Sequence, residues 1–199
     1  MKKSLQKALN KLRTGGVIAH ATETCYGFAC DAFSKRALVS LYKIKKMSLQ
    51  KPVSIMVHSL TMAKKYGVFS KKALIFAKKY WPGPLTIIVK RKNTLPKFFN
   101  PGIKTIGIRV PAHALSIKLI KAFGRPLTTT SANISGQPPP YSVSAIQKQF
   151  RSRKLKPDFI LDSGRLKKNP PSTIIDISQK TPKIIRHGSF HLSEKIFGC

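Results

Sequence analysis

The spacing of the apolar runs is what most restricts how this chain can fold. Segments of strand length keep returning between longer stretches with helical spacing. Val17-Ile18-Ala19-His20, Val53-Ser54-Ile55-Met56-Val57, Leu85 to Val89, Thr105 to Val110 and Pro126 to Thr130 read as short buried strands. Four amphipathic stretches lie before or between them. Residues 4–13 are stopped by Gly15-Gly16, and residues 34–46 have Ser34 as N-cap with Leu38, Leu41 and Tyr42 on one face. Residues 70–80 end at Trp81-Pro82-Gly83-Pro84, and the fourth stretch is His113 to Phe123. Past a Ser/Pro loop come a helix at 142–150 and strands near 158–161, 172–178 and 183–186. Alternation of this kind predicts an α/β layer fold, and the strand-rich last third predicts a mixed sheet, not a purely parallel one. A chain of 199 residues holds one well-packed domain, taken as 1–199, and two would be cramped.

Charge narrows the partners. The chain carries 38 Lys+Arg against six acids, Glu23, Asp31, Asp158, Asp162, Asp176 and Glu194, for a net charge of +32. Such a surplus repels itself in the compact state, so a polyanionic partner is expected, nucleic acid first. The cations are scattered and form no tail, which argues against one dedicated RNA-binding arm. No run approaches the roughly 20 apolar residues of a membrane helix, and the basic N-terminus has no apolar segment behind it, so a cytoplasmic location is expected. Cys25, Cys30 and Cys199 do not have the spacing of a zinc site or redox pair and are read as reduced and structural.

Several chemistries are excluded by missing motifs. There is no P-loop, no Gly-x-Gly-x2-Gly fingerprint, no His-Glu-x2-His and no Gly-x-Ser-x-Gly elbow. Only Glu23 and Asp31 are acidic in the first 157 residues, so a carboxylate-built metal site is hard to assemble, and Mg²⁺ is expected only with a nucleotide, held by its phosphates. What remains is a set of hydroxyls and cations at strand ends: Thr22-Glu23-Thr24, Lys45, Lys46 and Lys51, Thr105 with Arg109, Thr128 to Asn133, Ser172-Thr173 and Arg186. Thr105 and Arg109 are four residues apart on one strand and so share a face. Hydroxyls and cations suit phosphate and carboxylate oxygens, and the set points to a large anionic ligand outside the carboxyl ends of the strands. Arg109 has the best single claim, because a guanidinium buried on an apolar strand needs an anion.

In this order the segments resemble the YrdC family, the threonylcarbamoyl-AMP synthases. The resemblance rests on Gly15-Gly16 with Thr22-Glu23-Thr24-Cys25-Tyr26-Gly27, then Lys45 through Lys51-Pro52, then Trp81-Pro82-Gly83-Pro84-Leu85-Thr86. It continues through Thr105-Ile106-Gly107-Ile108-Arg109-Val110-Pro111, Ser131-Ala132-Asn133-Ile134-Ser135-Gly136, Pro171-Ser172-Thr173-Ile174-Ile175-Asp176 and Ile185-Arg186-His187-Gly188. Together these cover 15–188 almost without a break, in the manner of the short, single-domain form. The resemblance implies a twisted sheet around a concave basic site. The implied reaction joins L-threonine, bicarbonate and ATP into L-threonylcarbamoyl-AMP and pyrophosphate, and a partner transferase then modifies adenosine 37 of tRNA. By position, Thr24, Arg109, Thr129 and Ser172 are expected to meet the threonine. Lys45, Lys51, Thr105, Ser131, Asn133 and Arg186 are expected to serve the ATP, with Lys45 and Arg109 nearest the chemistry and Asn133 shaping the Ser131 turn.

At two positions the chain departs from the family pattern. Met47 stands where the pattern has Arg, which removes a charge from the expected phosphate site, and Met56 stands where some relatives carry His. The alternative is a non-catalytic RNA-binding protein, or a paralogue, on the same fold, with direct RNA contact through the basic surface. The loops at 131–141 and 163–172 are candidate lids.

Overall fold

The computed structural model describes residues 2–190; Glu194 and Cys199 lie outside them. Helix α1 (Lys2–Arg13) leads into β1 (Ile18–Ala21) and β2 (Tyr26–Ala29), then α2 (Lys35–Lys45) and β3 (Ser54–Met56). A single turn, α3 (Leu60–Ala63), and a two-residue strand, β4 (Gly67–Val68), precede α4 (Lys71–Tyr80), β5 (Leu85–Arg91) and β6 (Thr105–Arg109). The chain continues through α5 (Ala114–Phe123), β7 (Leu127–Ser131), α6 (Val143–Phe150), β8 (Phe159–Leu161), β9 (Thr173–Asp176) and β10 (Lys183–Arg186). The serines capping α2, α3, α4 and α6 (Ser34, Ser59, Ser70 and Ser142) each accept the backbone N–H three residues on, which satisfies a donor the first turn leaves open.

The ten strands form one mixed sheet in the order β10-β9-β5-β6-β3-β7-β2-β1-β8, with β4 added alongside β5. The pairs β1–β8, β3–β6 and β5–β9 are parallel and the other pairs antiparallel, as the strand-rich C-terminal third required. Helices α1 and α5 pack together against β1, and α4 packs against β5. Among the described residues no helix is long and apolar enough to cross a membrane.

Strand alternation gives the sheet two chemically different faces. Ile55, Ile87, Ile106, Ile108 and Ile175 turn to one side and are buried in the core. Their neighbours Ser54, Thr86, Gly107, Arg109 and Ile174 turn to the other. Register brings these together: Ser54 lies opposite Thr129, and Thr86 opposite Ile174. Gly107 keeps this polar floor low, because a Cβ there would collide with Ser54 Oγ and come within 3.3 Å of Thr86 Cγ2.

Candidate functional site

The polar face forms the floor of a cleft of about 420 Å³. Seven of the ten residues singled out in the sequence line it: Thr24, Lys51, Arg109, Thr129, Ser131, Ser172 and Arg186. Lys51, Arg109 and Arg186 bring positive charge, and among the described residues no Asp or Glu is in the lining. The floor residues come from the carboxyl ends of β6 and β7 but from the amino-terminal halves of β5 and β9. The ligand position is therefore a face of a mixed sheet and not the carboxyl edge expected of a parallel one.

Arg109, at the end of β6, is 5% exposed. Its Nη1 donates to Thr24 Oγ1 at 3.4 Å and its Nε to the Gly83 carbonyl at 3.3 Å. The expected anion exists within the chain: Nη2 stands 2.7 Å from Glu23 Oε1. That contact lacks hydrogen-bond alignment, so Nη2 is buried without a hydrogen-bond partner, and Glu23 Oε2 is buried without one too. Glu23 Oε1 is held by the Ala112 N–H at 3.0 Å. Thr24 is set by its own turn: Thr22 Oγ1 accepts the N–H groups of Thr24 and Cys25 and shares a 2.9 Å hydrogen bond with Thr24 Oγ1.

A second guanidinium closes the opposite wall. Arg186 Nε and Nη2 donate to the Ser172 carbonyl at 3.0 and 2.8 Å, and Nη2 also reaches Ser172 Oγ at 3.0 Å. Ser172 Oγ lies 3.1 Å from Thr86 Oγ1. Burial lowers the Arg186 pKa from its usual value, and the like charge of Arg109 adds to the effect. Two cations that disfavour each other across a cleft without carboxylates are relieved by an anion between them.

The structure assigns Lys45 a different position from the one expected. The side chain is 3% exposed and does not line the cleft. Its Nζ donates to the Ser131 carbonyl at 2.5 Å, the Asn133 carbonyl at 2.9 Å and Asn133 Oδ1 at 3.1 Å. An ammonium has three protons, so all are spent inside the protein. Asn133 Oδ1 also accepts from Ser131 Oγ at 2.5 Å, while Nδ2 donates to the Gln137 carbonyl. Lys45 and Asn133 thus build, from behind, the turn that presents Ser131. Burial pushes the Lys45 pKa down to about 8. Thr105 is also outside the cleft, at the far end of β6 opposite Lys90, because four residues of strand carry it away from Arg109. Met47 is partly buried against the core, and Met56 is fully buried.

Two cleft residues were not singled out in the sequence, and Glu23 was named there without a role. Glu23 sits behind Arg109, and Tyr141 and Asn169 line the cleft. Asn169 Nδ2 donates to the Glu23 carbonyl at 2.8 Å, Tyr141 OH to the Asn169 carbonyl at 3.2 Å, and the Leu166 N–H to the Tyr141 carbonyl at 2.7 Å. Both candidate lids are therefore tied to each other and to the Arg109 wall. The role of Glu23 could have been found by asking which acid in the early chain balances a buried Arg; Tyr141 and Asn169 had no such signal. Cys25, in the lining, and Cys30 are free thiols. Burial raises the Cys25 pKa and pushes Cys30 up to about 12, so both stay protonated at neutral pH. No group of three or more metal-ligating side chains occurs among the described residues.

A family model for the Sua5/YciO/YrdC domain, described as "Telomere recombination", matches residues 10–188. The chain is 32% identical over 193 residues to the threonylcarbamoyl-AMP synthase of Pyrococcus abyssi, covering 94% of itself and 55% of that protein. It spans about half the length of this relative. The threonylcarbamoyl-AMP synthase of Vibrio campbellii is also 32% identical, over 94% of this chain and 100% of its own length. Among solved structures, Pyrococcus abyssi Sua5 complexed with L-threonine superposes with a TM-score of 0.89 at 31% identity, covering 98% of this chain and 57% of that one. The chain belongs to the Sua5/YciO/YrdC family.

Proposed function

We propose that the protein is a threonylcarbamoyl-AMP synthase, acting in the cytoplasm on L-threonine, bicarbonate and ATP. The observation that carries this reading is the convergence of Arg109 and Arg186, with Thr24, Ser172 and Lys51, on a cleft that no acid among the described residues lines. The named relatives and the threonine-bound structure support the same assignment. In this reading Arg109, Thr24, Thr129 and Ser172 meet the amino acid, and Lys51, Ser131 and Arg186 meet the nucleotide. Lys45 and Asn133 hold Ser131 in place.

The neutral amine of threonine attacks the bicarbonate carbon, and water leaves as the carbamate forms. A carbamate oxygen then attacks the α-phosphorus of ATP, the bond to the bridging oxygen breaks, and pyrophosphate departs. Positioning and charge neutralisation carry most of such a transfer, and a cleft of hydroxyls and fixed cations supplies both. Mg²⁺ fits as a passenger of ATP, since the cleft offers it no carboxylate, and it would neutralise the departing pyrophosphate. The product serves a transferase that modifies adenosine 37 of tRNA.

The test is pyrophosphate release with ATP, Mg²⁺, L-threonine and bicarbonate, omitting each in turn. Release that requires both threonine and bicarbonate is expected; release indifferent to threonine would sink the proposal. The rival reading, a non-catalytic RNA-binding paralogue, is favoured by Met47 packing on the core where the family pattern has a cation. Silence in both the parent and a Met47→Arg variant would decide for it.

A further inference from the structure

A serine hydroxyl can donate or accept, and which of the two it offers a ligand depends on where its single proton goes. For Ser131 the fold decides. Its Oγ stands 2.5 Å from Asn133 Oδ1, an oxygen with no proton of its own to give. The Asn133 amide is fixed at both atoms: Oδ1 also accepts from Lys45 Nζ at 3.1 Å, and Nδ2 donates to the Gln137 carbonyl. Turning the amide over would set its NH2 group against an ammonium and its oxygen against a carbonyl. Asn133 is 7% exposed and Lys45 3%, so neither has solvent to turn to instead.

Ser131 Oγ therefore gives its proton inward, to the turn that carries it. The residue ends β7, lines the cleft and is half-buried. What it shows a ligand is lone pairs. The cations of the same cleft are the opposite case, since Lys51 and Arg186 donate and have no lone pair to offer.

We propose that Ser131 is an acceptor-only contact that reads a donor group on the nucleoside part of ATP, a ribose hydroxyl or the exocyclic amine, and not the triphosphate. The inference deepens the ATP reading of the cleft and rests on it. A triphosphate is a row of anionic acceptors, and a lone pair aimed at one is repelled by it. Phosphate oxygens fall to Lys51 and Arg186, whose charged N–H groups suit them. The nucleoside carries neutral O–H and N–H groups that an acceptor can take. The buried Lys45–Asn133 pair thus sets the direction of a hydrogen bond made in the cleft, by drawing off the one proton that would let Ser131 serve a phosphate.

The test is calorimetric titration of the full chain, parent and Ser131→Ala, with five ligands in the presence of Mg²⁺. They are ATP, 2′-deoxy-ATP, 3′-deoxy-ATP, purine riboside triphosphate, which lacks the amine, and inorganic tripolyphosphate. Ser131→Ala leaves Asn133 with Lys45 and Gln137, so the turn keeps its ties, and thermal melting checks the fold. The variant should bind ATP about 3- to 10-fold more weakly, the share of one neutral hydrogen bond, and tripolyphosphate as tightly as the parent does. One of the three analogues should be weaker than ATP by a similar factor on the parent and no weaker than ATP on the variant, and that analogue identifies the group. Equal losses for ATP and tripolyphosphate would overturn the inference, because Ser131 would then meet the phosphates or the metal ion that travels with them. Analogue losses of the same size on parent and variant would overturn it as well. Both failures leave the ATP reading standing; a parent that binds neither ATP nor tripolyphosphate would defeat that reading, and this inference with it.

Discussion

Replacing Arg109 separates its two jobs. The side chain balances Glu23 inside the fold, and in the proposed reaction it also meets the threonine carboxylate. Arg109→Met leaves Glu23 with the Ala112 N–H alone, and the Glu23 side chain is 19% exposed against 6% for that of Arg109. Breaking a buried pair by removing one partner costs about 3–5 kcal/mol, and the partial exposure of Glu23 puts this case near 3 kcal/mol. Charge-assisted hydrogen bonds to the substrate, worth about 1.5–3 kcal/mol, are lost as well, so KM for threonine should rise by roughly 10- to 150-fold. The double variant Arg109→Met, Glu23→Gln removes both charges together and should regain most of the stability but none of the threonine affinity. Urea unfolding and threonine-dependent pyrophosphate release on the parent, both single variants and the double variant make the comparison. If Arg109→Met lost stability but kept its KM for threonine, or if the double variant regained activity, Arg109 would be structural only.

The other consequences are more local. Lys45→Met strands the Ser131 and Asn133 carbonyls; a loss of about 2–4 kcal/mol in urea unfolding is expected, with KM for ATP rising more than KM for threonine. In the parent protein, KM for ATP should rise as pH rises through about 8, where Lys45 gives up a proton and one of its three donors; a KM for ATP that stays flat from pH 7 to 9 would contradict this. His20 is buried and its pKa is lowered from 6.5 to about 4, so between those values the unfolded chain binds a proton that the folded chain refuses. Stability should therefore fall by about 3 kcal/mol as pH drops through that window, and His20→Asn, which keeps a donor toward the Ala21 carbonyl, should flatten the fall. Gly188→Ala would bring a Cβ within 2.6 Å of Ser172 C and Thr173 N; a cost of about 3 kcal/mol is expected in a thermal or urea melt, along with reduced activity, because the displaced backbone carries Ser172.

Most of the fold was legible because the strands that matter are two-faced. The run Thr105-Ile106-Gly107-Ile108-Arg109 states its own orientation: isoleucines to the core, the alternate residues to the opposite face, with Arg109 alone reaching the cleft. The three elements that escaped notice have physical reasons. Strand β2 contains Gly27 and is buried throughout, so it shows no alternation. Helix α3 is one turn of four residues and β4 only two residues, lengths at which neither period can declare itself.

The candidate site was legible as a set of residue types, but not as directions. Lys45 shows why. Charge, spacing and family position mark it for the ligand, yet a helix places it on the inner side of the Ser131 turn, where three acceptors converge before any ligand arrives. A lysine whose three protons already bond within the fold contributes to binding by fixing the donors and acceptors around it. Met47 fits the same logic. With Lys45 turned inward and Met47 against the core, this helix end adds no free cation to the cleft lining, and phosphate charge must be met by Lys51 and Arg186. Arg186 is itself held by Ser172, which in turn bonds Thr86 on the floor, so the residue proposed for the nucleotide and those beside the threonine are one connected structure. In the proposed reaction, each substrate therefore bears on a wall that the other also uses. An enzyme that must join the two before water intervenes gains from that coupling, because neither half-filled cleft is the arrangement in which transfer occurs.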